Sequence, residues 1–435
     1  MSYRRNIGSN IITKLVKILI GFVTSIVVAR GLGPEGKGYA AYYLLILGMI
    51  VNFGHLGIEH ATAYFYKKGS FAEQTVFNTN NSYQIVVALV FGILLLYFKK
   101  LDLVFQDYSY LMVILGYFFL LISNLQVCTK EFYVGNQRMY QTNRFLLISG
   151  LINAVVIMVL YMSRTLTPNS YLISIVGTTA FTSILTWRGC ELSKYFKFSL
   201  HKELLSQEFR YGLIVYVGAL LIFLTYRVDQ LMIKNYLGTK DLGIYTVAVT
   251  LAELLLLVPL SIKTALMGRL LNTDDLKTSL NISIRTIKYS MYVNTVLIVI
   301  GVMMTPLVPL LYGSAFAGAK SIIVVLFLGL FFSSVSKIGG AFLYATNHTK
   351  DHLIMTAISF SVNIIGNLLL IPRLGVMGAA YASMFSYMIY GSLYVYYFIS
   401  HHGVSIQDML IMGSEDMAII KTLLKLNSRR MKNDF

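Results

Sequence analysis

Charge is what this sequence has least of. Asp, Glu, Lys and Arg make up 13% of its 435 residues, about half the share found in a water-soluble domain. Hydrophobic residues make up 56%. Too few polar side chains remain to cover a water-facing surface, so a soluble enzyme is excluded. Acids are the scarcer sign, 19 against 36 Lys and Arg, for a net charge of +17. The only cysteines, Cys128 and Cys190, form no disulfide or metal pattern and read as free thiols. Seven histidines are scattered without ligand spacing. No G-x4-G-K-[ST] loop occurs, which argues against an ATP-driven pump. Long outer loops and acid–base clusters are missing too, which argues against a membrane polymerase or ligase. The first apolar run leads into Arg30 and not into a small-residue cleavage site, so no cleavable signal peptide is expected.

What fills the chain is apolar sequence in bilayer-length runs. Twelve spans are expected, at 7–31, 39–66, 82–98, 109–129, 144–163 and 170–190, then at 211–236, 242–266, 287–311, 320–346, 353–371 and 376–399. Residues 29–41, ARGLGPEGKGYAA, join the first two. Gly31 and Gly33 suit a helix stop, Pro34 cannot continue a helix, and Glu35 suits the start of the next. The spacing L-G-x4-G of Leu32 to Gly38 returns in Leu237 to Gly243, again between two apolar runs. A shorter relative, Leu374-Gly375 to Gly378, follows Pro372. Repetition at matching places in two hydrophobic halves points to an internally repeated transporter.

Lys and Arg fix the orientation. With both termini inside, 25 of the 36 fall on the inner side and 9 on the outer, the latter including Arg30, Lys37, Lys100 and Lys240. The positive charge therefore belongs to a membrane surface and its lipids, not to nucleic acid. The organisation expected is an N-terminal six-helix lobe at 1–197, a cytoplasmic interfacial linker at 198–210, a C-terminal six-helix lobe at 211–400 and a cytoplasmic basic tail at 401–435. The linker alternates Phe198, Leu204, Leu205 and Phe209 with Lys202 and Glu208, which suits a helix lying in the interface.

Charges inside spans are expensive in hydrocarbon, which makes them the informative residues. Lys14 and Lys17 sit one turn apart in the first span. Arg227 and Asp229 fall in the seventh, two residues apart on a helix and so on nearly opposite faces. Glu253 lies near the middle of the eighth span and Lys337 in the tenth. Each stands either in an inter-helix pair or facing a cavity. Pro259, Pro306 and Pro309 are expected to kink or end their helices.

The stretches ARGLGPEGKGYAAY, RVDQLMIKNYLGTKDLGIYTVAVTLAE, LYGSAFAGAK and NLLLIPRLGVMGAAYAS, in this order and spacing, resemble the polysaccharide-exporter (Wzx-type) flippases. These form a branch of the multidrug/oligosaccharidyl-lipid/polysaccharide exporter superfamily. The resemblance implies an all-α integral membrane protein of two six-helix lobes, a V-shaped alternating-access transporter with a partly cationic cavity. The implied cargo is an undecaprenyl-pyrophosphate-linked oligosaccharide, carried across the bacterial cytoplasmic membrane for surface polysaccharide synthesis. Lys17, Arg227 and Lys337, with Lys14 and Arg30, are then the expected headgroup contacts, since two phosphates favour Lys and Arg in a low-dielectric site. Asp229, within an R-x-D-Q element, and Glu253 are the expected proton or Na+ coupling acids. Partners would include the polysaccharide polymerase and glycosyltransferase machinery; no cofactor is implied. A multidrug or metabolite antiporter of the same fold is the alternative, disfavoured by cations outnumbering acids within the spans.

Overall fold

The computed structural model describes residues 2–273 and 275–413. Within them every regular element is helical, as hydrocarbon demands of a chain that must satisfy its backbone polar groups internally. Ten of the described helices are long and apolar enough to cross a membrane. The first, Val16–His55, is broken at Gly33. Dividing it there and adding Val376–His402, 27 residues long but rich in tyrosine, gives the twelve spans expected. Large apolar side chains such as Leu111, Val155, Met162 and Met303 are exposed on these helices, which suits contact with lipid and not water. The protein is a multi-pass integral membrane protein.

The chain divides into two compact units. One comprises 1–248, 306–322 and 367–379. Here the helix connection at 29–41 is tighter than its composition suggests. One residue, Gly33, leaves helical geometry (φ 66°, ψ −178°), and Pro34 opens the next helix. In the second copy Gly238 takes the same role (φ 97°, ψ −173°) between Val228–Leu237 and Thr239–Ala252. Both glycines occupy backbone conformations that side chains resist. The last glycines of the two motifs meet: a Cβ at Gly38 would clash with the Thr239 carbonyl, and one at Gly243 with that of Pro34. Pro34 and Thr239 are equivalent positions, so the sequence repeat is also a repeat of structure.

Two spans differ from expectation in ways that matter for function. The third begins at Glu73, not 82, and runs to Lys100. Its first turns carry a buried polar run, Asn78-Thr79-Asn80-Asn81-Ser82. That run binds the connection between halves: Asn78 Oδ1 accepts from the Lys197 amide (3.2 Å), Ser82 Oγ from Ser199 (3.0 Å) and Thr79 Oγ1 from His201 (3.3 Å). Residues 198–210 accordingly supply no separate interfacial helix. They begin extended and pass at Lys202 into the long helix Lys202–Thr225. The second difference is a break in the seventh span. Lys202–Thr225 ends at Tyr226, and Arg227 precedes a new helix, Val228–Leu237.

The other unit comprises 249–305, 323–366 and 380–435. Glu253–Leu256 forms a tight 3-10 turn before the helix Leu257–Leu270, where Pro259 cannot donate to the preceding turn. A ladder of polar side chains joins the antiparallel stretches 352–363 and 383–394. His352 pairs with Tyr394, Thr356 with Tyr390 (3.0 Å), Ser359 with Ser386 (3.0 Å) and Asn363 with Ser383 (3.3 Å). Such pairs hold helices together where lipid removes the hydrophobic drive between them. The start of the tail docks here too, with Met409 buried beside Leu266, Leu270 and Ile284. The basic residues from Lys421 to Lys432 lie outside the described residues.

Candidate functional site

A cavity of about 230 Å³ opens in the first unit beside the break in the seventh span. Its walls include Lys37, Ala40, Ala41 and Leu44 from one helix, Tyr171, and Arg227, Gln230 and Thr246 from the second repeat. Spacings of three, four and seven residues bring Lys37, Ala40, Ala41 and Leu44 to one helix face, and the two alanines leave the room. Lys37 is only 9% exposed, and among the described residues no side chain or carbonyl accepts a hydrogen bond from its ammonium. Arg227 shares the cavity and donates to its neighbour's carbonyl, Tyr226 O, at 3.2 Å.

Asp229 belongs to a different arrangement. Because the helix breaks at Tyr226 and Arg227, Arg227 and Asp229 do not share one helical wheel. Asp229 sits in the first turn of Val228–Leu237, where the helix end favours a negative charge. It is 1% exposed. Its Oδ2 accepts from the Tyr245 hydroxyl at 2.5 Å and its Oδ1 from the Gln230 amide at 2.7 Å. Donors already hold this carboxylate in place.

The second unit has its own cations. Lys337 is 8% exposed, with Glu253 within electrostatic reach. Lys263, half-buried, lies near Lys337 and has its ammonium 5.9 Å from the Tyr344 ring.

The remaining candidates stand apart. Lys17 is exposed on the first helix, and the side chain of Lys14 lies outside the described ones. Arg30 clasps the end of a short helix, its Nε donating to Leu311 O at 2.7 Å and its Nη2 to Leu310 O. Lys37 and Lys263 escape a reading by spans, which assigns the first to an outer loop and the second to the inner surface. The register running on from Pro34 is the signal that places Lys37 beside Ala41 and Leu44.

No curated protein sequence matches the chain. Solved structures share its fold at low identity. An inward-facing multidrug resistance MATE family transporter of the MOP superfamily superposes with a TM-score of 0.70 at 14% identity, covering 88% of this chain and 93% of the other. The lipid II flippase MurJ, inward closed, gives 0.73 at 14%, covering 92% and 88%. A MOP superfamily transporter from Pyrococcus furiosus, described as having a binding pocket of reversed polarity that suggests a different function, gives 0.64 at 14%, covering 91% and 94%. The fold is that of the superfamily's alternating-access transporters, and the chain is a transporter or flippase of that superfamily, not an enzyme. The MatE family model matches residues 215–369. The model for polysaccharide biosynthesis proteins matches residues 3–269, more than half of the chain, which therefore belongs to that family.

Proposed function

We infer that this protein is a flippase for an undecaprenyl-pyrophosphate-linked oligosaccharide, moving it from the inner to the outer leaflet of a bacterial cytoplasmic membrane. One observation carries the reading: Lys37 is buried, with no acceptor among the described residues, beside Arg227 in a cavity. A buried cation without a counter-charge is costly, and an anionic ligand offsets that cost. Pyrophosphate offers such an anion, with charge-assisted bonds to both residues. The cationic drugs of an antiporter would be repelled by the same pair. Lys337 and Lys263, which lie within electrostatic reach of one another, bring positive charge together in the second unit as well. The polysaccharide family match over residues 3–269 agrees with such cargo.

Purified protein in liposomes tests the cargo directly. Lipid-linked oligosaccharide loaded into one leaflet should become accessible to an added glycosidase at least tenfold faster than in protein-free vesicles. A cationic dye should not be expelled against an imposed ion gradient. Dye expulsion with no movement of the glycolipid would place the protein among the drug antiporters instead.

Orientation is tested by labelling single cysteines in whole cells. An impermeant thiol reagent added outside should reach cysteines placed at the exposed positions Lys100 and Lys240, and miss those at Lys68 and Lys350. Lys37, an outer position by sequence, is buried, so a cysteine there should label slowly. Reaction at Lys68 or Lys350 and none at Lys100 or Lys240 would invert the topology.

A further inference from the structure

Away from the cationic cavity, the first unit buries a carboxyl that no cation balances. Glu208 is fully inaccessible. Its Oε1 accepts from Asn80 Nδ2 at 2.8 Å, and the same amide reaches Thr62 Oγ1 at 3.0 Å. Among the described residues its Oε2 and the Asn80 Oδ1 have no hydrogen-bond partner. Both are acceptors. On the helices that carry Asn80 and Thr62, Gln84 Oε1 and Glu59 Oε2 are in the same condition. A packed interior rarely leaves such atoms empty, and at Glu208 and Asn80 what is missing is a donor or a positive charge.

The surrounding charges agree. Glu59 and His60 come from Ile58–Lys68, and Cys128 and Glu131 from Tyr110–Gly135. Glu73 opens the helix that carries Asn80, and Lys202, Glu203 and Arg210 share the helix of Glu208. Glu59, Glu131 and Glu208 all lie within electrostatic reach of the buried Cys128 thiol. Among the described residues no Lys, Arg or His comes within ion-pair distance of Glu208. Glu59 does have imidazoles beside it, His55 at 3.9 Å and the exposed His60 at 3.6 Å. Glu59 and Thr62 fall one turn apart on one helix face. His60, Glu59, Thr62, Asn80 and Glu208 therefore form a polar track from the surface to the buried carboxyl. Asp229, by contrast, is already saturated by Tyr245 and the Gln230 amide.

We propose that Glu208 and Asn80 form the coupling-ion site of this transporter, holding one monovalent cation, a proton or a sodium ion, on the unpartnered carboxylate and amide oxygens. Oxygen ligands of this kind suit a hard cation, and a proton would neutralise the same carboxylate. Burial also pushes the Glu208 carboxyl up to about 8, against the opposing pull of the Asn80 hydrogen bond. A carboxyl raised in the folded protein contributes stability that is complete below its unfolded value and lost as pH rises through about 8.

The sole tryptophan, Trp187, reports on this region, since its ring lies 5.4 Å from that of Phe77, one turn before Asn80. Trp187 emission and the melting temperature of the protein in lipid nanodiscs are followed in two titrations. In one, sodium replaces N-methylglucamine at constant ionic strength; in the other, pH rises from 6 to 9.5 without sodium. If sodium is the ligand, the first gives a saturable response. If a proton is, the second gives a transition near pH 8 with the melting temperature falling as pH rises. Glu208→Gln, nearly isosteric and permanently neutral, should abolish whichever response the wild type shows. Glu208→Asp should shift its midpoint at least threefold, or by about half a pH unit. A wild type silent in both titrations, or a Glu208→Gln variant with the wild-type midpoint, overturns the site. The wild-type result decides by itself if the variants fail to fold. The coupling role rests on the flippase reading, but ion binding is measured here without cargo. An ion response with no glycolipid movement in the wild type leaves the site standing and removes the cargo. Wild-type transport rates in Glu208→Gln remove the coupling.

Discussion

Gly243→Ala and Gly38→Ala should each reduce glycolipid transport at least tenfold per folded molecule, although alanine is the better helix former by about 0.8–1 kcal/mol. The reason is the crossing of the two repeats. A methyl at Gly38 lands on the Thr239 carbonyl and one at Gly243 on the Pro34 carbonyl. Both obstacles are backbone, so no side chain can rotate out of the way. Overpacking of this kind costs about 1–3 kcal/mol or more, which outweighs the propensity gain. Gly48 supplies the control, since it lies in the same helix as Gly38 with nothing near its missing Cβ. Gly48→Ala should be neutral or slightly stabilising. The double variant adds a sharper demand. One separation of the two helices relieves both clashes, so the two losses should not add. Additive losses, or transport intact in Gly243→Ala, would mean that the crossing is not part of the working protein.

That crossing shows what the sequence makes legible. The repeated L-G-x4-G marks where each helix pair turns, because Gly33 and Gly238 do what only glycine does easily. The spans follow from apolar length alone. The twelfth is the instructive exception: Tyr381, Tyr387, Tyr390 and Tyr394 dilute its hydropathy, yet Tyr390 and Tyr394 are rungs of the polar ladder. Polar side chains used for helix contacts mislead in the third span as well. Residues 78–81 read as a loop, yet with Ser82 they form a helix whose buried amides and hydroxyls bind the connection at 197–201.

The candidate site divides in the same way. A charge inside an apolar run is visible, so Arg227, Asp229, Glu253 and Lys337 can be singled out without coordinates. Which of them is already satisfied is not visible, because the partner of Asp229 is Tyr245, on another helix. Lys37 hides for the opposite reason. The neighbouring Gly33, Pro34, Gly36 and Gly38 suggest a solvated loop, while the chain leaves the helix at one residue only. Glu208 hides in an amphipathic pattern that suits an interface, and its burial depends on Asn80 and Thr62, from two other helices.

Replacing Lys37 by methionine should make the protein more stable and less active at once. The side chain keeps its length and apolar stem, while a buried cation without an acceptor disappears. No partner is left unsatisfied by the change, which is the condition under which removing a buried polar group stabilises. A gain of about 1 kcal/mol raises the melting temperature by roughly 1 °C in a chain of this size. If the ammonium binds the pyrophosphate, the same variant should lose about 1.5–3 kcal/mol of interaction with its cargo, which is roughly 10- to 100-fold in transport at limiting glycolipid. Arg227 should behave differently. It already donates to Tyr226 O, so Arg227→Ala should lose both stability and transport. Arg227→Lys should recover transport only in part, because a planar fork becomes a point charge. Melting temperature and transport per folded molecule, measured together, separate a ligand contact from a structural one. A structural cation loses both when removed; a cation waiting for its anion gains the first and loses the second. A lowered melting temperature in Lys37→Met, or undiminished transport, would take away the observation on which the cationic cavity rests.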